Sequence, residues 1–281
     1  MTPDLIYDVG ANNGDDADFY LRKGFRVVAI DADAKLCAQI GDRFREQIEQ
    51  GRLTVVHGLV SDSGLASEAF YLFEDCPGWN TADIDFKTRM ESAGYATKKI
   101  EVPVIGMNDL LSRYEVPYYL KIDIEGNDLK ALRGLEQFGN ARGDRPSFVS
   151  TELVREDVRL AMDQLLTLER CGYTKFLFVN QGMRMHVKAP QPPREGTYAT
   201  FRPDQITTGL FGRELDGEWL DVTRAAGRIA TICRLNWLYR HDPRFSKDGK
   251  FSGTLWAKIH NRFRRHVLGD PINGIELHAA R

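Results

Sequence analysis

The chain has 281 residues, 28% of them charged, and a formal net charge of −2. That length holds one elaborated domain or two small ones, and the near-neutral balance supplies no overall basic field for nucleic acid. Four cysteines, Cys37, Cys76, Cys171 and Cys233, stand far apart with no C-x-x-C pair, which argues against a disulfide framework or a zinc site and fits a reducing compartment.

The first apolar run, Leu5 to Val9, is of strand type. It breaks into Gly10-Ala11-Asn12-Asn13-Gly14, and a helix-like stretch runs from Asp16 to Lys23. A strand that passes through a glycine turn into a helix brings backbone N–H groups close to a ligand. The next run, Val27 to Ile30, ends on Asp31, where a carboxylate is placed to accept hydrogen bonds from a ribose. Two cofactors use this layout. A dinucleotide site wants G-x-G-x-x-G, whereas here the spacing is G-x-x-x-G, flanked by Asp8 and Asp15. S-adenosylmethionine carries an ammonium and a sulfonium, which carboxylates suit; a pyrophosphate they would repel. A glycine turn with no ligand is the bland reading, and the position of Asp31 weighs against it.

Ala34 to Glu49 reads as one amphipathic helix with Leu36, Ile40, Phe44 and Ile48 at helical spacing. Leu53 to His57 is a third strand, followed by Gly58-Leu59-Val60-Ser61-Asp62. Ligands of doubly wound sheets lie outside the carboxyl ends of the strands, so Ser61 and Asp62 are candidates to meet an adenine edge. A plain turn with Asp62 as a cap competes equally. Ala69 to Phe73 looks like a strand. Glu74 to Tyr95 has no long periodic run and reads as an irregular lid or binding loop. Within it Trp79 and Asn80 are candidates for the acceptor, with a tryptophan plugging the core edge as the alternative.

Ile100 to Ile105 is a strand and Met107 to Tyr114 a short helix. Tyr118 to Ile122 then forms a buried strand that runs into Asp123-Ile124-Glu125-Gly126, with a helix from Leu129 to Gly134. Lys121 is placed to pair with one of these acids. Phe148 to Glu152 is another acid-tipped strand. Asp157 to Cys171 is an amphipathic helix, and Thr174 to Val179 a strand ending in Asn180-Gln181. Pro190 to Pro203 reads as loop, Leu210 to Leu220 as a surface segment, and Val222 to Tyr239 as helix. Leu255 to Leu268 reads as a strongly basic helix, and Ile275 to His278 as a last strand. With no charged-then-apolar leader and no apolar stretch long enough for a bilayer, a cytoplasmic protein is expected.

As a set, these stretches resemble the FkbM-type methyltransferases, class I enzymes dependent on S-adenosylmethionine. The matching residues are Asp8-Val9-Gly10-Ala11-Asn12-Asn13-Gly14, Asp31, Leu59 to Asp62, Leu120 to Gly126, Leu132-Arg133-Gly134, and Gly172 to Phe176 running into Asn180-Gln181. Asn127-Asp128 departs from the Ala-Glu more usual there. The resemblance implies a Rossmann-like, seven-stranded, mostly parallel sheet with helices on both faces, formed by residues 1–184. Residues 185–281 are then a C-terminal elaboration, or an insertion before an antiparallel strand at 275–278. It also implies methyl transfer to a hydroxyl of a sugar, a polysaccharide or a secondary metabolite.

On this reading Asp8, Gly10, Asn12, Gly14, Asp31, Ser61 and Asp62 surround the cofactor, and Trp79, Asn80, Asn180 and Gln181 face a small-molecule or glycan acceptor. A hydroxyl is a poor nucleophile at neutral pH, so a base is needed. Asp123, Glu125 and Glu152 are the candidates, with His57 a weaker fourth; period-two alternation would put Asp123 and Glu125 on one face. The same acids suit a divalent cation or a grip on the cofactor's ammonium. A non-catalytic partner of the same fold in glycan assembly, a nicotinamide-dependent oxidoreductase, and nucleic-acid methylation, which the net charge weakens, are the other readings.

Overall fold

The computed structural model describes residues 1–181, 187–202, 204–205, 207–241 and 274–281. The basic helix expected at Leu255 to Leu268 lies outside them. In chain order the strands are β1 (Thr2–Val9), β2 (Arg26–Asp31), β3 (Leu53–His57), β4 (Leu59–Val60), β5 (Ser67–Leu72), β6 (Lys98–Ile105), β7 (Pro117–Ile122), β8 (Phe148–Glu152), β9 (Lys175–Asn180) and β10 (Ile275–Ala280). The helices are α1 (Asp15–Arg22), α2 (Ala34–Arg43), α3 (Arg45–Glu49), α4 (Ile84–Ser92), α5 (Met107–Arg113), α6 (Asp128–Arg142), α7 (Val158–Arg170) and α8 (Val222–His241).

Seven strands form one sheet in the order β3-β2-β1-β7-β8-β10-β9. β1 is parallel to β2 and to β7, β2 is parallel to β3, and β10 runs antiparallel to β9. The order reverses between β1 and β7. In an open α/β sheet that is the switch point outside which a ligand binds. The α/β fold with a seven-stranded, mostly parallel sheet is therefore present as expected. β4, β6 and β5 make a separate three-stranded sheet, a use for the 59–105 region that strand-like runs alone did not reveal.

The chain divides into two compact units, Met1–Val149 with Ala189–Leu215, and Ser150–Lys188 with Asp216–Arg281. In the first, Ile6, Phe19, Tyr20, Val27, Ile40, Tyr119 and Phe211 are buried in one apolar cluster. The ring of Phe211 stacks on Tyr119 at 4.8 Å and meets Tyr20 edge-on at 5.2 Å. Leu210 and Phe211 are thus core rather than the surface segment expected. In the second unit Leu165, Leu168, Phe176, Ile229, Ile232 and Leu277 are buried, and Asn236 donates to the Arg155 carbonyl at 3.1 Å.

Two further expectations change. The single helix expected over 34–49 breaks at Phe44, whose backbone leaves the helical region at φ −118° and ψ 30°. Its ring lies against Gly14, where an added Cβ would come within 2.9 Å of Phe44 Cε2. The irregular 74–95 stretch contains α4, capped by Asp83 accepting from the Asp85 and Phe86 N–H groups. No residue of α4 is fully buried, so it carries no apolar stripe for periodicity to find. Among the described residues no helix is long and apolar enough to cross a membrane.

Candidate active site

The glycine turn at the end of β1 is folded against both neighbouring strands. The N–H groups of Gly10 and Ala11 donate to the Ile30 carbonyl, and Asp123 N–H donates to the Val9 carbonyl. Gly10 has φ +85°, and a Cβ there would lie 1.8 Å from the Asp123 carbonyl oxygen. Only glycine lets the turn sit so close to the tip of β7. Gly14 (φ +81°) caps α1, and Asn12 also has positive φ, +48°. From the tip of β2, Asp31 accepts the Asn12 N–H at 2.7 Å on one oxygen and the Asp33 N–H at 2.8 Å on the other. Burial pushes the Asp31 carboxyl up to about 6, against the pull of these two N–H donors.

A buried charge cluster lies under the turn. Lys121 is expected to pair with one acid; it sits among three. Its Nζ is 3.1 Å from Asp8 Oδ1, 3.4 Å from Asp16 Oδ2 and 3.5 Å from Asp123 Oδ2, and donates to the Gly10 carbonyl at 3.4 Å. Burial would push this ammonium down; Asp8, Asp123 and Asp16 outweigh it and hold the group well above the usual lysine range. Burial drives the Asp8 carboxyl upward in spite of Lys121. Asp8 Oδ2 is buried with no hydrogen-bond partner. Of the four side chains Asp123 reaches solvent most, at 31% exposure.

Asp123 and Glu125 follow the end of β7 at Ile122, so strand alternation does not set their directions. Glu125 has φ +47° and Gly126 φ +104°. This bend lies against the segment after β5. Thr81 Oγ1 donates to the Glu125 carbonyl, and a Cβ on Gly126 would come within 2.8 Å of Asp83 Cβ. Asn80 accepts the Phe73 N–H at 2.8 Å and donates to Asp33 at 3.2 Å. A Cβ on Gly78 would lie 3.6 Å from the Asn12 amide nitrogen. The 73–83 segment therefore touches the glycine turn, the β2 tip and the β7 tip. Trp79 is partly buried, edge-on to Phe73 and Tyr95.

The remaining candidates sit as follows. Ser61 is buried and its hydroxyl donates to Glu68 at 2.6 Å, while Asp62 is exposed. His57 is exposed at the end of β3, its Nε2 3.2 Å from the Ala32 carbonyl. In the second unit, Glu152 ends β8, and a Cβ on Gly274 would come within 2.3 Å of its Oε1. Asn180 ends β9 opposite Ile275, and Gln181 follows, partly buried.

Sequence reasoning passed over Asp16 and Thr208. Asp16, in the first turn of α1, accepts the Thr208 N–H at 2.7 Å on Oδ1 and the Thr208 hydroxyl at 2.8 Å on Oδ2. The 189–215 segment lies along α1: Phe201 stacks on Phe19 at 4.8 Å, and Gln205 donates to Asp18 at 3.2 Å. At its other end it is fixed by buried acids. Glu214 forms an ion pair with Lys23 at 2.8 Å, both fully buried, and Glu195 accepts from Tyr118 at 2.7 Å and from Arg213.

A turn that only glycines can form, an acid at the second strand's tip and an orphaned buried carboxylate oxygen fit a ligand with ribose hydroxyls and positive charge. Residues 8–175 match the methyltransferase FkbM domain. The chain belongs to the FkbM methyltransferase family. It is an S-adenosylmethionine-dependent methyltransferase, and S-adenosylmethionine is its cofactor. The nicotinamide-dependent reading is set aside accordingly.

This FkbM methyltransferase is also similar to solved methyltransferases, at low identity. A methyltransferase from Geobacter sulfurreducens in complex with S-adenosyl-L-homocysteine is 13% identical with a TM-score of 0.33, over 100% of this chain and 84% of that one. A precorrin-6y C5,15-methyltransferase from Geobacter metallireducens is 14% identical with a TM-score of 0.33, over 63% and 68%. A methyltransferase from Thiobacillus denitrificans in complex with S-adenosyl-L-homocysteine is 11% identical with a TM-score of 0.32, over 100% and 86%. No curated protein matches the sequence.

Proposed function

We propose that this FkbM methyltransferase transfers a methyl group to a hydroxyl oxygen of a sugar, a polysaccharide or a secondary metabolite. One observation carries the reading: Asp123 offers a partly exposed carboxylate beside the glycine turn, with its counter-ion Lys121 buried behind it. The cofactor supplies an electrophilic methyl. Gly10, Asn12 and Gly14 shape its cradle, Asp8 faces its positive charge, Asp31 takes ribose hydroxyls, and Ser61 and Asp62 lie toward adenine. Asp123 would accept the acceptor's hydroxyl proton as the oxygen–methyl bond forms and the methyl–sulfur bond breaks, the electron pair staying on sulfur so that S-adenosylhomocysteine leaves, and Glu125 would orient Asp123. The 73–83 segment, with Trp79 and Asn80, covers the acceptor. Glu152, Asn180 and Gln181 lie in the other compact unit, and their proposed catalytic and acceptor roles rest on their positions at strand ends.

The test is transfer of labelled methyl to a panel of methyl glycosides and small polyols, with wild type and Asp123→Asn, each with and without chelator. Loss of turnover in the variant, cofactor binding intact and wild type indifferent to chelator are the expected results. Turnover that survives the substitution removes Asp123 as the base, and chelator-sensitive turnover points to a cation among the acids instead.

A further inference from the structure

Residues 72–80 make a loop that is closed at its neck. Tyr71 and Thr81 exchange both backbone hydrogen bonds there, at 2.8 and 3.1 Å, and Phe73 and Thr81 are buried. Inside the loop the Cys76 N–H donates to the Phe73 carbonyl, the Trp79 N–H to the Cys76 carbonyl and the Phe73 N–H to the Asn80 side-chain oxygen. A compact loop with joined ends and bonds of its own moves as one piece. At two points it reaches the strand ends assigned to the cofactor. A Cβ on Gly78 would lie 3.6 Å from the Asn12 amide nitrogen, and Asn80 Nδ2 donates to Asp33 Oδ2 at 3.2 Å. Asn12 and Asp33 are the two residues whose N–H groups bond the Asp31 carboxylate, so the loop rests on both sides of that acid. The second point is the bonded one, and the other Asp33 oxygen is occupied by the Lys35 N–H at 2.8 Å.

We propose that residues 72–80 are a latch over the cofactor site, with the Asn80–Asp33 hydrogen bond as its catch. The cofactor enters and leaves when that bond opens and the loop tilts about the Tyr71–Thr81 neck. Trp79, which covers the acceptor in the reading above, rides on the same loop, so the opening that frees S-adenosylhomocysteine also frees the methylated product. The latch rests on Asn12 and Asp31 framing the cofactor, as proposed above.

Exchanging the two partners tests it without knowledge of the acceptor. The readout is the association and dissociation rate constants of S-adenosylhomocysteine on the full chain, by surface plasmon resonance. Asp33→Asn keeps an oxygen for the Lys35 N–H and turns an amide toward the Asn80 amide. Asn80→Asp keeps an oxygen for the Phe73 N–H and turns a carboxylate toward Asp33. Each opens the catch, and in each both rate constants should rise about fivefold, the worth of one net hydrogen bond, with the dissociation constant within about twofold of wild type. The two variants change the charge in opposite directions, so an effect of charge alone would move them apart. The double variant, Asp33→Asn with Asn80→Asp, rebuilds the bond with donor and acceptor exchanged and should return both rates to wild type. If Asp31→Ala binds S-adenosylhomocysteine as wild type does, the cofactor assignment fails and the latch falls with it. If Asp31→Ala weakens binding, yet the single variants keep wild-type rates or raise dissociation alone, or the double variant stays fast, the latch alone is overturned.

Discussion

If Asp31 takes the ribose hydroxyls as proposed, cofactor affinity should depend on pH, and the size follows from its surroundings. Burial pushes its carboxyl up to about 6 while two backbone N–H groups already occupy it. A ribose needs the carboxylate as acceptor, so binding must displace the proton. With a pKa of about 6, roughly nine-tenths of the groups are ionised at about pH 7 and roughly one-tenth at about pH 5. The dissociation constant of S-adenosylhomocysteine should therefore rise about tenfold between those values, or about 1.4 kcal/mol. Calorimetry in two buffers of different ionisation enthalpy should show proton release on binding near pH 6, at about half a proton per site. Asp31→Ala should weaken binding by ~1.5–3 kcal/mol at neutral pH and flatten the acid limb. Asp8 is also pushed upward, so the variant separates the two carboxyls. An affinity that is constant over this range, or an Asp31→Ala protein with the wild-type slope, would refute the reasoning. In the apoprotein the same raised value acts on stability with the opposite sense. The folded state holds the proton more tightly than the unfolded chain, so this contribution is greatest below the ordinary aspartate value of 3.8 and is lost as pH rises through about 6.

Gly10→Ala places a Cβ against the Asp123 carbonyl at positive φ; the thermal midpoint should fall and cofactor binding should be lost, and a variant that binds normally contradicts the close packing. Lys23→Met leaves Glu214 buried without its ion partner, which should cost ~3–5 kcal/mol in denaturant unfolding. Lys23→Met with Glu214→Leu should recover much of that loss; a double variant no better than the single would mean the pair is not the cause. Asn80→Ala removes the bonds to Phe73 and Asp33 and should speed proteolytic cleavage within residues 73–83, with cleavage at the wild-type rate counting against Asn80 as the clamp.

The parts of the site that were legible are those that local chemistry dictates. Asn12 and Asp31 are 19 positions apart, joined by one helix between two parallel strands, and a glycine turn with an acid at the next strand tip specifies that unit by itself. The sheet was legible for a similar reason, since buried parallel strands read as apolar runs of strand length. The pairing of Lys121 with Asp8, 113 positions away, was not read from the sequence, which set Lys121 against the acids after its own strand; strand order brings the two together. What alternation could not supply was direction: β7 stops at Ile122, and Glu125 has positive φ, so the face of each acid is set by the bend and by Thr81.

The 189–215 segment was hard to read because much of what fixes it, beyond its few core aromatics, is polar and long-range. Glu195, Thr208 and Glu214 are buried, yet residues of these types are mostly exposed, and nothing in their neighbours marks them otherwise. Their partners are remote in sequence: Lys23 is 191 positions from Glu214 and Asp16 is 192 positions from Thr208. Asp15, Asp16 and Asp18 are all buried in α1, which is costly unless each acid is bonded. Asp15 is met by Arg43, Asp16 by Thr208 and Lys121, and Asp18 by Arg22, Arg202 and Gln205. Two of these three acids depend on the late segment, so α1 and residues 189–215 require each other. The late segment is thereby part of the wall on which the glycine turn rests.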